Sequence, residues 1–191
     1  LALRKIHHTG NFAGFYVALG LDILKLAMFN VADLLHAVKA RLLNERYNRG
    51  LGASLAGRHP GLNSGLKGID IATTDIFGKI CFLAAPMSIH RRGTESYNQD
   101  LVSFGFGAAI YALELNEEFR RLLAAVLLVL AQAVDRRVGD TGGAGAALAP
   151  RTRELYEQVR SQVSFLDEDR PLHDDLEAIV EMIRAREIAA A

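Results

Sequence analysis

In the segment TESYNQDLVSFG (residues 94–105), Glu95, Asn98, Gln99 and Asp100 set two carboxylates and two amides just ahead of a long apolar stretch. Carboxylates exchange protons, amides both donate and accept hydrogen bonds, and an ammonium can offset an acid. The cation on offer is Lys67, which stands among Leu66, Ile69 and Ile71 near the start of another helical pattern. The same residues have a plainer use. Acids and amides stabilise the first turn of a helix, and a lysine on a surface needs no partner. Spacing alone leaves both readings open, because only tertiary packing can bring Lys67 to Glu95.

Other chemistry is set aside more easily. The histidines, at 7, 8, 36, 59, 90 and 173, form no His-Glu-x-x-His pattern, and Cys81 has no second cysteine, so no metal is expected. Cys81, between Ile80 and Phe82, reads as a small buried side chain rather than a nucleophile. The glycines of GGAGAAL lack the Gly-Lys-Ser/Thr of a phosphate loop. Arg91-Arg92 reads as a solvated loop, or as a contact to a neighbouring subunit or an anionic ligand. With 22 basic and 22 acidic residues the chain has no nucleic-acid footprint, and a small-molecule or protein partner is expected. The apolar run at 122–131 falls well short of the roughly 20 residues of a membrane span. With no signal-like segment and a single cysteine, cytoplasmic localisation is the default expectation. The lack of an initiator Met suggests a fragment or a processed piece.

The elements that must position these residues are helices. Val17, Leu21, Leu24, Met28, Val31, Leu35, Val38 and Leu42 recur at three and four, predicting a long helix from residue 13 to about 46. Asn63-Ser64 offers a cap for a second helix from 65 to about 85, ended by Pro86. A third helix of about 35 residues follows the polar segment, then a linker and two shorter amphipathic helices over 151–163 and 174 to about 186. This divides the chain into a long-helix segment (1–138), a Gly/Ala-rich linker (139–150) and a C-terminal helical segment (151–191). A 35-residue helix is about 50 Å long, whereas a compact domain of this size has a radius of gyration near 16 Å. The run at 122–131 is apolar on every side. Both observations predict an all-α, long-helix bundle completed by other chains.

Three blocks, TGNFAGFYVALGLDILKLAM, PGLNSGLKGIDIATTDIFGKICFLAAP and ESYNQDLVSFGFGAAIYALEL, together with the closing FLDEDRPLHDDLEAIVEMIRA, resemble in order and spacing the C-terminal half of the aromatic amino acid ammonia-lyases and aminomutases. That resemblance implies long helices meeting in the central bundle of a homotetramer, with active sites drawing on several subunits. It implies an electrophile, 4-methylideneimidazole-5-one (MIO), formed autocatalytically from an Ala-Ser-Gly tripeptide, and no metal. It also implies loss of ammonia from an aromatic amino acid to give an aryl acrylate, or re-addition of that ammonia in the aminomutases.

By position, Phe12 resembles the phenylalanine packed beside the MIO and substrate. Lys67 and Glu95 match residues bordering the amino and carboxylate end of the substrate, Asn98 and Gln99 the adjacent polar wall, and Ile71 a residue of the aryl pocket. Such a Lys-Glu pair would hold a zwitterion, and a positioned carboxylate assists proton transfer by roughly 10² to 10⁴. Histidine-type members tend to carry an acid where Gln99 stands, so the resemblance favours a phenylalanine or tyrosine type. Departures are equally plain. No Ala-Ser-Gly occurs in the sequence, Ala53-Ser54 being followed by Leu55, and Thr9 replaces a common glycine. The expected partner is therefore an MIO-bearing N-terminal chain, with further copies in a tetramer-like assembly. The alternatives are an aminomutase of the same fold and a non-catalytic helical interaction subunit.

Overall fold

Helical spacing dominates the sequence, and the computed structural model, which describes residues 13–138 and 148–185, is built of helices. They are α1 (Phe15–Leu43), α2 (Lys67–Leu83), α3 (Gly105–Val138), α4 (Pro150–Gln162) and α5 (His173–Arg184), with short 3-10 turns at Ala53–Leu55 and Ser88–His90. Among the described residues there is no strand, only isolated bridges pairing Pro60 with Asn63 and Thr94 with Gln99. Most of the expected linker, 139–147, lies outside the described residues.

α1 stops at Leu43, short of the expected 46, because asparagine side chains compete for the backbone there. Asn44 accepts the Arg46 amide at 3.0 Å, and the Asn48 side-chain amide donates to the carbonyls of Leu42 and Gly52 at 2.9 and 2.8 Å. α2 starts two residues later than expected, and neither Asn63 nor Ser64 caps it. Asn63 instead donates to the Arg58 carbonyl and accepts from the Asp169 amide, while the Asp169 carboxylate takes the amides of Ser64 and Gly65 at 2.7 and 2.9 Å. The closing FLDEDRP stretch thus holds the entrance to α2.

α1 and α3 run in the same direction and α2 runs against both. Lys39 of α1 meets Asp70 at the start of α2, and Lys25 meets Ala85 just past its end. Lys79 of α2 meets Glu118 of α3, and Arg136 at the far end of α3 reaches the Leu51 carbonyl after α1. One core gathers Ala32, Ile80, Leu83, Leu115, Leu122 and Val126 between the three long helices. A second joins α3 to α4 and α5 through Leu128, Val129, Val159 and Ile179. Buried Gln132 pins this second core, donating to the carbonyls of Leu55 and Leu166 and accepting the Leu166 amide.

Two expectations are corrected by the packing. The run at 122–131 is enclosed by its own chain, with only Leu130 appreciably exposed, so it demands no other chain. The uncovered apolar surface is on α1: Val17, Leu24 and Val31 of the periodic stripe are 58%, 49% and 50% exposed, whereas Ala18, Asp22, Lys25, Ala32 and Lys39 are buried. α1 is the one helix among the described residues long and apolar enough to cross a membrane, yet its charged face is turned into the fold. Cys81, expected to be buried, is exposed, because one step past wholly buried Ile80 rotates a helical side chain by about 100°.

Candidate functional site

The polar segment does not open α3. Thr94 and Gln99 exchange backbone hydrogen bonds, at 2.9 and 3.3 Å, and the Asn98 amide donates to the Glu95 carbonyl at 3.0 Å. Inside that closed turn Glu95, Ser96 and Tyr97 adopt φ of 54°, 52° and 65° in succession. Left-handed backbone costs L-residues about 1–2 kcal/mol each, so the bridge must hold the turn against that preference. The Asn98 side-chain amide donates to the Glu95 carboxylate at 3.2 Å, and Glu95, Asn98 and Gln99 are all exposed. A second closure, the Val102 amide to the Arg92 carbonyl at 2.9 Å, ties the base of the loop. α3 begins only at Gly105, whose amide is accepted by the Ser103 hydroxyl at 3.4 Å, so Ser103 serves the start of the helix.

Lys67 is the first residue of α2 and exposed, and Ile71, one turn on, is 67% exposed. Ile71, Thr74, Asp75, Gly78, Lys79 and Phe82 line an open depression along the same face of α2. The backbone beneath Lys67 is fixed. The Leu66 amide donates to the Ser54 carbonyl at 2.8 Å, and a Cβ on Gly65 would come within 2.7 Å of Ala56 and Ser54 backbone atoms.

Lys67 and the Glu95 turn therefore occupy opposite ends of α2, whose 17 residues span about 25 Å. Among the described residues no ion pair joins Lys67 to Glu95 within one chain. Glu95 and Asn98 are brought together, as are Lys67 and Ile71, but as two separate groups. Phe12 lies outside the described residues. Gly14 lies against the start of α3, where a Cβ on it would stand 3.3 Å from the Ser103 hydroxyl.

What the sequence reading missed is the set of buried charges behind both groups. Lys39, wholly buried, donates to the Asp70 carboxylate at 2.6 Å and the Thr73 hydroxyl at 2.7 Å, holding the first turns of α2. Lys25, also wholly buried, donates to the Ala85 carbonyl at 2.8 Å and pairs with Asp22 at 3.0 Å. Burial pushes the Asp22 carboxyl up, but hydrogen bonds from Ser88, Met87 and Lys25 outweigh that and hold it below the usual carboxylate range. The available signal was the spacing Asp22-x-x-Lys25 and Lys39 fourteen residues on, one face of an otherwise apolar helix.

A family model described as aromatic amino acid lyase matches residues 2–161. Tyrosine ammonia-lyase of Cereibacter sphaeroides is 38% identical over 172 residues, covering 90% of this chain and 32% of that protein. Histidine ammonia-lyase of Myxococcus xanthus is 32% identical over 188 residues, covering 98% of this chain and 35% of its own length. Among solved structures, a ligand-bound tyrosine aminomutase variant superposes with a TM-score of 0.88 at 30% identity, over 97% of this chain and 34% of that one. The chain spans about a third of the length of these relatives, rather than half.

Proposed function

This chain belongs to the aromatic amino acid lyase family, and we propose that it is the C-terminal part of an MIO-dependent enzyme that eliminates ammonia from an aromatic L-amino acid. In that reaction the Cα–N bond and a Cβ–H bond break, the Cα=Cβ bond of an aryl acrylate forms, and ammonia and a proton leave. The MIO, carried by the part with the Ala-Ser-Gly tripeptide, supplies the electrophile. Donor chemistry on this chain fits such a site: Glu95 and Asn98 form a preset acceptor-donor pair on an exposed turn, and Lys67 stands free above the apolar residue Ile71.

In this reading Lys67 offsets the substrate carboxylate and Ile71 borders the ring. Glu95, kept in orientation by the Asn98 amide, accepts a proton from the substrate amine or holds its ammonium, and Gln99 extends the polar wall. By resemblance, Phe12 would be the aromatic neighbour of the ring. Gln99, neutral where histidine-type members tend to be acidic, supports a phenyl or phenol ring over imidazole.

The observation that carries the proposal is the placing of Lys67 and Glu95 at opposite ends of α2, both facing out. Such a pair serves one substrate when different chains contribute it, which supports an assembly with an MIO-bearing partner and further copies of this chain. The uncovered leucines of α1 support the same assembly. A second reading, an aminomutase, draws support from the close superposition on tyrosine aminomutase.

The test is to purify the chain with its Ala-Ser-Gly-bearing partner and offer phenylalanine, tyrosine and histidine. Near-ultraviolet MIO absorbance with aryl acrylate formation is expected, and β-amino acid would mark the aminomutase. Glu95→Gln should cut turnover by roughly 10² or more while leaving assembly unchanged. An assembled complex inert toward all three amino acids would leave the non-catalytic interaction subunit.

A further inference from the structure

Where α2 ends, the chain must leave a helix, cross to the base of the Glu95 turn and reach α3 with several backbone groups unpaired. One buried ion pair of α1 holds the start of this crossing. Lys25 donates to the Ala85 carbonyl at 2.8 Å and meets Asp22 at 3.0 Å. The two oxygens of Asp22 take the amides of Met87 and Ser88 separately, at 3.0 and 2.9 Å. Lys25 also lies 5.8 Å from the Tyr111 ring centroid, so α3 closes over the pair.

From Ser88 the path to the turn is short and fixed at each step. Ser88–His90 is a 3-10 turn, Arg91 lies over the ring of Phe15 at 5.2 Å, Arg92 accepts the Val102 amide, and Thr94 pairs with Gln99. A buried ion pair is a poor way to gain stability, since a packed apolar pair of similar volume often serves as well. It does fix direction, because a carboxylate receiving two amides has little orientational freedom.

We propose that Asp22 and Lys25 are positioning residues for the Glu95 turn, setting the height at which Glu95, Asn98 and Gln99 present themselves to the substrate. The inference rests on the function proposed above. Asp22 touches no substrate and acts through the backbone of residues 85–88, with Lys25 holding its charge in place.

The test uses the assembled enzyme with its MIO-bearing part and compares Asp22→Asn, Lys25→Met, Glu95→Gln, the Asp22→Asn/Glu95→Gln double variant and Asp33→Asn, an exposed control on α1. In Asp22→Asn an NH2 donor takes the place of one carboxylate oxygen, so one of the two amides would face a donor instead of its present acceptor. Asp22→Asn should speed amide exchange through 87–102 without changing it in α3. It should also raise KM and lower kcat, with kcat/KM down about 10²-fold, the loss expected of a misplacement near 1 Å. The double variant should lose clearly less than the product of the two single losses. Unchanged kcat/KM in Asp22→Asn, losses that multiply in the double variant, or unchanged exchange over 87–102 would each overturn the proposal. Should Asp22→Asn fail to assemble, Lys25→Met carries the same comparisons. Wild-type complex without activity would sink the functional reading alone, and the exchange arm would still judge the clamp.

Discussion

Lys39 and Asp70 meet at 2.6 Å with unequal surroundings: the ammonium is wholly buried and the carboxylate side chain is 45% exposed. Removing the two partners should therefore have unequal effects. Lys39→Met leaves a carboxylate that water can reach and should cost about 1–2 kcal/mol. Asp70→Asn strands a buried ammonium and should cost about 3–5 kcal/mol, eased by the Thr73 hydroxyl. Denaturant unfolding of the two variants checks the order, and equal losses would contradict the burial.

A methyl group at Gly57 should unfasten the C-terminal segment. Its Cβ would lie 2.4 Å from the Asp167 carbonyl oxygen, backbone that cannot swing aside. Next to it, Asp167 receives the Arg58 amide and pairs with the Arg58 guanidinium. Gly57→Ala should lower stability by about 1–3 kcal/mol. Limited proteolysis should then cut first within 164–172.

Stability should fall with mild acid through His36. The ring stacks on Phe77 at 4.7 Å between centroids, and its Nδ1 is buried without a partner. Burial, reinforced by the Lys39 charge and opposed by Asp70 and Asp33, holds its pKa below the ordinary 6.5. The unfolded chain then binds more protons as pH drops, so the contribution of His36 is complete above about 6.5 and is lost below it toward the folded value. Unfolding midpoints between pH 7.5 and 5.5 should decline in wild type more steeply than in His36→Phe. Parallel curves would remove His36 from the account.

The outward face of α1 should matter for assembly and hardly at all for the fold of the single chain. Ile23 and Leu34 are 59% and 64% exposed. Ile23→Asp with Leu34→Asp should leave the helical signal intact and shift the mass in solution toward smaller species by light scattering. An unaltered mass would show that this face is not where copies meet.

Much of the architecture was legible because apolar spacing at three and four reports helices whichever way they face. The same spacing could not report which face is buried. In α1 Lys25 and Lys39 lie inside because a carbonyl just past the end of α2 and a carboxylate at its start await them, information held 60 and 31 residues away. Nor could spacing find the Glu95 turn. Glu95, Ser96 and Tyr97 carry none of the glycine that normally marks left-handed backbone, so the segment read as the start of a helix. Resemblance singled out Lys67 and Glu95, but their separation along α2 is a property of the tertiary fold that spacing does not carry.

In the proposed assembly, the outward leucines of α1 would also make abundance a variable of folding. If copies meet on that face, the native state of this chain should gain population with its own concentration, as mass action requires when partners bind only the folded form. Its melting temperature should climb on concentrating and sink on dilution. During synthesis the same exposed apolar face is an adhesive surface. In the proposed assembly, timely supply of partners would then govern how much of the chain reaches its working form.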